Sequence, residues 1–153
     1  MKYSNLIVFV IEDDISIRSL LRRIIEKNFQ ILVNEFGSPV GAFKAMGSVL
    51  PDLIILDIHT PHISGFQAMQ TIAANERLKN IPVVACTGDS SPELIKRLIS
   101  LGVKEYLLKP FDPQVLSDRL EVLFDEILEK KAEESEKDDD VSTRKISHND
   151  DFI

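Results

Sequence analysis

The sequence predicts an α/β protein: a five-stranded parallel sheet with helices on both faces, doubly wound from five successive βα units. Three observations predict it. Short apolar runs alternate with longer stretches whose apolar residues recur every three or four positions. Several runs are solidly apolar, as strands buried on both faces require. The longer stretches begin at Asp or Ser, with proline next at Ser91-Pro92 and Asp112-Pro113 among them, which is how helices start.

Leu6–Ile11 is the first apolar run and reads as a strand. Asp13 or Asp14 then caps a helix with Ile17, Leu20, Leu21, Ile24 and Ile25 on one face and Arg18, Arg22, Arg23, Glu26 and Lys27 mostly off it. Ile31–Phe36 reads as the second strand and Pro39–Val49 as a short helix. Leu53–Leu56 is the third strand, ending at Asp57, and Ser64 begins a helix with Phe66, Met69, Ile72 and Ala73 inward. Pro82–Cys86 is the fourth strand. Ser91-Pro92-Glu93 opens a helix that runs to about Leu101 and stops at Gly102. Glu105–Leu108 is the fifth strand. Asp112-Pro113 opens a last helix that buries Leu116, Leu120, Leu123, Phe124 and Ile127. From Ala132 the apolar periodicity fails. The spacing therefore predicts a domain over 1–131 followed by an acidic, disordered tail over 132–153.

Composition narrows the function. With 44% hydrophobic and 28% charged residues, the chain reads as an ordinary soluble domain. The net charge is −7, which argues against a nucleic-acid surface. Residues 131–153 carry eight acidic and four basic side chains, so four of those seven charges belong to the tail. The single cysteine, Cys86, allows no intrachain disulfide and points to a reducing, cytoplasmic setting. The Leu6–Ile11 run is too short for a signal segment and meets Glu12-Asp13-Asp14. No stretch approaches the roughly 18 apolar residues of a membrane helix.

In an open parallel sheet, ligands bind beyond the carboxyl ends of the strands. Here those ends carry Glu12-Asp13, Asp57, Thr87-Gly88 and Lys109-Pro110. Three carboxylates drawn together repel; two unit charges 4 Å apart cost roughly 4 kcal/mol at an effective dielectric of about 20. A hard divalent cation relieves that, and all-oxygen ligands suit Mg²⁺ or Mn²⁺. An Asp beside such a cation, with Lys and Thr to hold phosphoryl oxygens, is equipped as a nucleophile toward phosphorus.

Four segments carry a resemblance: Val10-Ile11-Glu12-Asp13-Asp14 with Arg18; Leu53-Ile54-Ile55-Leu56-Asp57-Ile58-His59-Thr60-Pro61 with Gly65; Val83-Val84-Ala85-Cys86-Thr87-Gly88; and Gly102 through Lys109-Pro110-Phe111. Together, in order, they resemble the receiver domains of two-component response regulators over about residues 5–130. The resemblance implies a flavodoxin-like (βα)5 fold. It implies phosphorylation of Asp57 and a Mg²⁺ site built from Asp13, Asp57 and the His59 backbone carbonyl, with Glu12 acting through water. Thr87 and Lys109 would bind the phosphoryl group, and the rotamer of Tyr106 would follow Thr87. The Lys109–Pro110 bond is usually cis in that family. His59 sits where the family tunes dephosphorylation, Asp89 could position a water, and Val103 replaces a commoner alanine.

The implied function is that of a signalling phosphoacceptor rather than an enzyme, catalysing only its own phosphorylation and dephosphorylation. Its partners would be a histidine kinase or histidine phosphotransfer protein and a downstream protein docked on the face of helix four, strand five and helix five. Nucleic acid and membrane are not expected partners. With only a charged tail after the domain, a stand-alone receiver that acts by docking or a phosphorelay intermediate is expected, or a piece of a longer protein whose linker is the tail.

Other readings fit less well. Asp14, Asp52 and Asp112 read as caps or turn residues. Cys86 reads as a small buried apolar residue. His59, His62 and His148 form no recognised metal pattern. A flavin or dinucleotide site needs a small, neutral phosphate-binding loop where this chain has Glu12-Asp13-Asp14. A haloacid-dehalogenase-type phosphatase needs an Asp-x-Asp after the first strand, where this chain has Glu12-Asp13-Asp14 followed by Ile15. The remaining alternative is a receiver-like binding module that works without phosphorylation; the complete acidic, Thr and Lys set weighs against it.

Overall fold

The computed structural model describes residues 1–59 and 64–150, with side chains described to residue 138. It divides into two units, Met1–Ser117 and Asp118–Ile153. The first unit holds β1 (Val8–Ile11), α1 (Ile15–Phe29), β2 (Val33–Phe36), α2 (Pro39–Met46), β3 (Leu53–Asp57), α3 (Gly65–Ala74), β4 (Val83–Thr87), α4 (Pro92–Ser100), β5 (Glu105–Leu108) and the start of α5 (Pro113–Asp150). All strand pairs are parallel, in the order β2-β1-β3-β4-β5. The order reverses between β1 and β3, so a crevice opens at their carboxyl ends.

The predicted caps form. The Asp14 carboxylate accepts the Ser16 and Ile17 N–H groups at 2.8 and 3.1 Å, so Asp14 rather than Asp13 starts α1. Ser64 and Gln67 exchange side-chain bonds across the first turn of α3. The Asp112 carboxylate accepts from Gln114 and Val115 at the start of α5. Asp52 ties a turn, its carboxylate accepting the Ile7 N–H at 2.7 Å. The amino-terminal turn of α4 departs from expectation: Ser91 makes no side-chain cap, and the Asp89 carboxylate accepts the Ser91 N–H at 2.8 Å.

Strand alternation sorts the core. Phe9 and Ile11, Ile54 and Leu56, and Val83 and Ala85 share one cluster with Ala42 and Met46 of α2, Ala68, Met69 and Ile72 of α3, and Leu98 of α4. Alternate residues Val8, Val10, Leu53, Ile55, Val84 and Cys86 are equally buried, and so are Leu21, Ile24 and Ile25 of α1. Each fully buried aliphatic or aromatic side chain contributes roughly 1.5–3 kcal/mol relative to exposure.

Several boundaries differ from the sequence reading. β1 and β2 begin at Val8 and Val33, two residues later than the apolar runs, and α2 ends at Met46 rather than Val49. Ala73 is exposed and Ala68 takes its expected inward place, because helical spacing from Met69 and Ile72 favours position 68. Phe66 is half-buried, with the Arg97 guanidinium 4.2 Å from its ring centroid. In the second unit, Leu120, Leu123 and Phe124 are buried. The helical backbone of α5 continues to Asp150, where disorder was expected from Ala132. No Gly or Pro interrupts this stretch, and Glu126–Lys130 and Glu133–Lys137 stand at the supportive four-residue spacing. Residues 151–153 lie outside the described residues.

Candidate functional site

β1 delivers Glu12 to the crevice. Its N–H donates to the Phe36 carbonyl at 3.0 Å, extending the ladder with β2 by one rung, and its side chain is 2% exposed. The chain then turns, leaving Asp13 exposed at the rim. β3 delivers Asp57, 2% exposed. The Ile58 N–H donates to the Cys86 carbonyl at 3.0 Å, which carries the β3–β4 ladder past Asp57. The His59 N–H donates to Asp57 Oδ1 at 3.1 Å.

Gly65 lets α3 begin close to this turn. Its N–H donates to the Ile58 carbonyl at 2.9 Å. A Cβ at Gly65 would collide with Ile58 Cα and stand 2.7 Å from the Asp57 carbonyl oxygen.

β4 ends at Thr87, which is fully buried. The Lys109 N–H donates to the Thr87 carbonyl at 2.8 Å, so β5 hands Lys109 to the rim just past its last paired residue. The Lys109–Pro110 bond is cis, as the resemblance implied.

These elements bring the expected groups together. Carboxylate oxygens of Glu12, Asp13 and Asp57 lie within 4.8 Å of one another. Lys109 Nζ stands 3.1 and 2.9 Å from the two Glu12 oxygens and 3.2 Å from Asp57 Oδ1. The Thr87 hydroxyl accepts the Asp89 N–H at 3.0 Å and stands 3.4 Å from both the Asp89 carbonyl and His59 Nε2. Tyr106 is half-buried on β5 and packs against the core cluster. His62 lies outside the described residues, as does the side chain of His148, so the histidine question rests on His59 alone.

Charge at this rim is unbalanced. Burial pushes the Glu12 carboxyl up to about 7; the Lys109 hydrogen bond opposes this and the nearby Asp57 charge adds to it. Burial also works against the Lys109 ammonium, but the Glu12 hydrogen bond and the Asp57 and Glu12 charges outweigh it, so its pKa rises. Lys109 therefore stays charged at neutral pH, and one ammonium faces three carboxylates. Burial raises the Cys86 thiol, which keeps it protonated and unreactive.

Two arrangements were not anticipated. The pairing of Lys109 with Glu12 was missed, because no local pattern links residues 97 positions apart. Arg18, noted only as part of a motif, donates from Nη1 to the Glu12 carbonyl at 2.9 Å. The expectation that Asp89 positions a water meets a competing fact: its Oδ1 already accepts the Ser91 N–H.

Comparison with known proteins agrees with this geometry. The family model of the response regulator receiver domain matches residues 8–121. The chain is 24% identical over 120 residues to the chemotaxis protein CheY of Pseudomonas aeruginosa, covering 78% of this chain and 97% of that protein. It is 31% identical over 115 residues to the CAI-1 autoinducer sensor kinase/phosphatase CqsS of Vibrio cholerae, covering 74% of this chain but only 16% of that protein. Among solved structures it resembles the receiver domain of the sensor histidine kinase PA1611 of Pseudomonas aeruginosa, which has a magnesium ion in its active-site cleft. The TM-score is 0.70 at 20% identity, covering 79% of this chain and 98% of that one. Among the described residues no helix is long and apolar enough to cross a membrane. A buried Asp57 at the end of β3, flanked by Glu12, Thr87 and Lys109, and a family match over most of the sheet lead to one assignment: this chain belongs to the response regulator receiver domain family, the phosphoacceptor signalling domains of two-component systems.

Proposed function

We propose that Asp57 takes a phosphoryl group from a phosphohistidine in a Mg²⁺-dependent step, and that the phosphorylated domain changes its affinity for a protein partner. The observation that carries this reading is the Lys109 ammonium held between Glu12 and Asp57 at 2.9 and 3.2 Å, on the rim where three carboxylates converge.

The donor set fits a hard divalent cation. It is all oxygen, carries three carboxylates against one ammonium, and excludes the thiol of Cys86, which is buried in the core. In this reading Asp13, Asp57 and the His59 backbone carbonyl hold Mg²⁺, or Mn²⁺ in its place. Glu12 contributes through water, which agrees with both its oxygens already receiving Lys109. When bound, the cation supplies charge neutralisation for the carboxylates and the incoming phosphoryl oxygens.

The chain's own residues account for the rest. Asp57 Oδ1 is engaged by the His59 N–H and by Lys109, so attack falls to Oδ2. A bond forms from Oδ2 to phosphorus as the phosphorus–nitrogen bond of the donor breaks, and the leaving imidazole keeps that electron pair. Lys109 pairs with one phosphoryl oxygen. Thr87 gives up its contacts at Asp89 and His59 to donate to another, and Tyr106 follows it. The His59 ring, 3.4 Å from the Thr87 hydroxyl, is placed to influence the lifetime of the acyl phosphate, and Asp89 would join it through Oδ2, since Oδ1 accepts the Ser91 N–H. The domain in this reading catalyses only its own phosphorylation and dephosphorylation.

The phosphodonor is a histidine kinase or a histidine phosphotransfer protein. The responding surface is that of α4, β5 and the first turn of α5, where Ile99, Leu108 and Val115 are exposed. Phosphorylation acts there only through its differential stabilisation of one conformation. The same reading places the protein in the cytoplasm, with no nucleic-acid or membrane partner.

Acetyl phosphate with Mg²⁺ tests the assignment by intact mass. Wild type should gain one phosphoryl group, and Asp57→Ala or added EDTA should abolish the gain. Labelling that survives either change would overturn the reading.

A further inference from the structure

We propose that Arg18 is a positioning residue that sets the Glu12–Asp13 corner in the orientation a divalent cation requires; this rests on the metal-dependent reading above. Glu12 is the point where β1 stops pairing. Its N–H goes to the Phe36 carbonyl of β2 at 3.0 Å, while its carbonyl receives Arg18 Nη1 of α1 at 2.9 Å. The carbonyl of Glu12 and the nitrogen of Asp13 belong to one planar peptide unit. The guanidinium that fixes that carbonyl therefore fixes the direction in which Asp13 leaves the strand. Asp13 is exposed, so no burial holds it there.

The guanidinium is itself restrained. Arg18 Nε stands 3.7 Å from Glu35 Oε1 on β2, and the second Glu35 oxygen stands 3.4 Å from Arg22 Nη1. Gly37 leaves it room: a Cβ there would stand 3.3 Å from Arg18 Nη1. Arg18 thus ties α1 to the ends of β1 and β2 at once, with its side chain 21% exposed. A lysine could reach the Glu12 carbonyl but could not span to Glu35 with a rigid planar fork.

Groups that orient metal ligands from outside the coordination sphere typically change metal affinity about 10- to 100-fold when removed. The contact here is to a backbone carbonyl and partly exposed, so the low end applies. The test is calorimetric titration of Mg²⁺ into the EDTA-stripped full chain, with no phosphodonor present. Arg18→Ala should weaken Mg²⁺ binding about 10-fold and Arg18→Lys by about threefold. Arg22→Ala loses the other Glu35 contact without touching Glu12, and it should bind within about twofold of wild type. A folded Arg18→Ala with wild-type affinity would overturn the proposal, and so would Arg22→Ala weakening binding equally. If Arg18→Ala does not fold, Arg18→Lys decides alone: unchanged affinity overturns the proposal. Asp13→Ala in the same titration separates the two readings. Wild-type Mg²⁺ binding that ignores Asp13→Ala refutes the metal site itself, whereas binding that needs Asp13 but ignores Arg18 refutes only the positioning role.

Discussion

Replacing Lys109 by methionine keeps the aliphatic stem and removes the ammonium that bridges Glu12 and Asp57. At 2.9 and 3.2 Å, each contact is about 5 kcal/mol at an effective dielectric of about 20. The net loss is smaller, because burying the ammonium is itself costly and the Lys109 side chain keeps 19% exposure. Removing one partner of a buried pair costs about 3–5 kcal/mol, and partial exposure puts Lys109→Met near about 3 kcal/mol at pH 8. Glu12 offers a relief route. Its carboxyl already stands at about 7 in the folded chain against an ordinary 4.5, and losing the ammonium moves it further up. A raised carboxyl contributes stability that is fully present below its unfolded value and is lost as pH rises through the folded value. At pH 5.5 Glu12 is therefore protonated in wild type and variant alike, the repulsion with Asp57 is gone, and the deficit shrinks to about 1.5 kcal/mol. Urea unfolding in EDTA at the two pH values measures both numbers, with an unchanged denaturant slope. Equal deficits at pH 5.5 and pH 8, or no deficit at pH 8, would refute the claim that Lys109 is the counter-charge of this rim.

Thr87→Val should keep the fold and the labelling of Asp57 but lose the phosphorylation-driven change in partner affinity. Its stability should fall by no more than about 1 kcal/mol, because the Asp89 N–H that loses its acceptor belongs to an exposed residue and can turn to water; a full response in a partner-binding assay would remove the hydroxyl from the switch. Gly65→Ala should destabilise by about 2–3 kcal/mol and slow phosphorylation, since the added carbon meets the backbone of Asp57 and Ile58 and not a flexible side-chain end. Wild-type urea midpoints for this variant would show that α3 can shift without disturbing β3.

Much of the fold was legible because it depends on local rules. Solid apolar runs gave the buried strands, and the helix starts at Asp14, Ser64 and Asp112 followed from short side chains that accept nearby N–H groups. The strand ends were legible as well, and with them Glu12, Asp13, Asp57, Thr87 and Lys109, because a parallel sheet collects those ends on one rim. Periodicity was a poorer guide where exposure does not punish a change. The last helix continues past Ala132 although its apolar stripe has ended, and only its first turns there, with Glu133, Glu134, Glu136 and Lys137, consist mainly of good helix formers.

Partner choice within the site was decided only by tertiary structure. The sequence put Lys109 and Glu12 on the same rim, but only the folded chain pairs them, along with Asp57. It suggested a water-positioning role for Asp89, and the structure gives that carboxylate to the Ser91 N–H. It marked Arg18 as part of a motif, and the structure aims it at the Glu12 carbonyl. Which hydrogen bond a charged side chain makes depends on groups distant in sequence that compete within about 3 Å. The sequence alone thus determined which chemistry gathers at the carboxyl rim, because strand ends are fixed by local pattern. The tertiary structure determined which group holds which, because that competition exists only once the strands lie side by side.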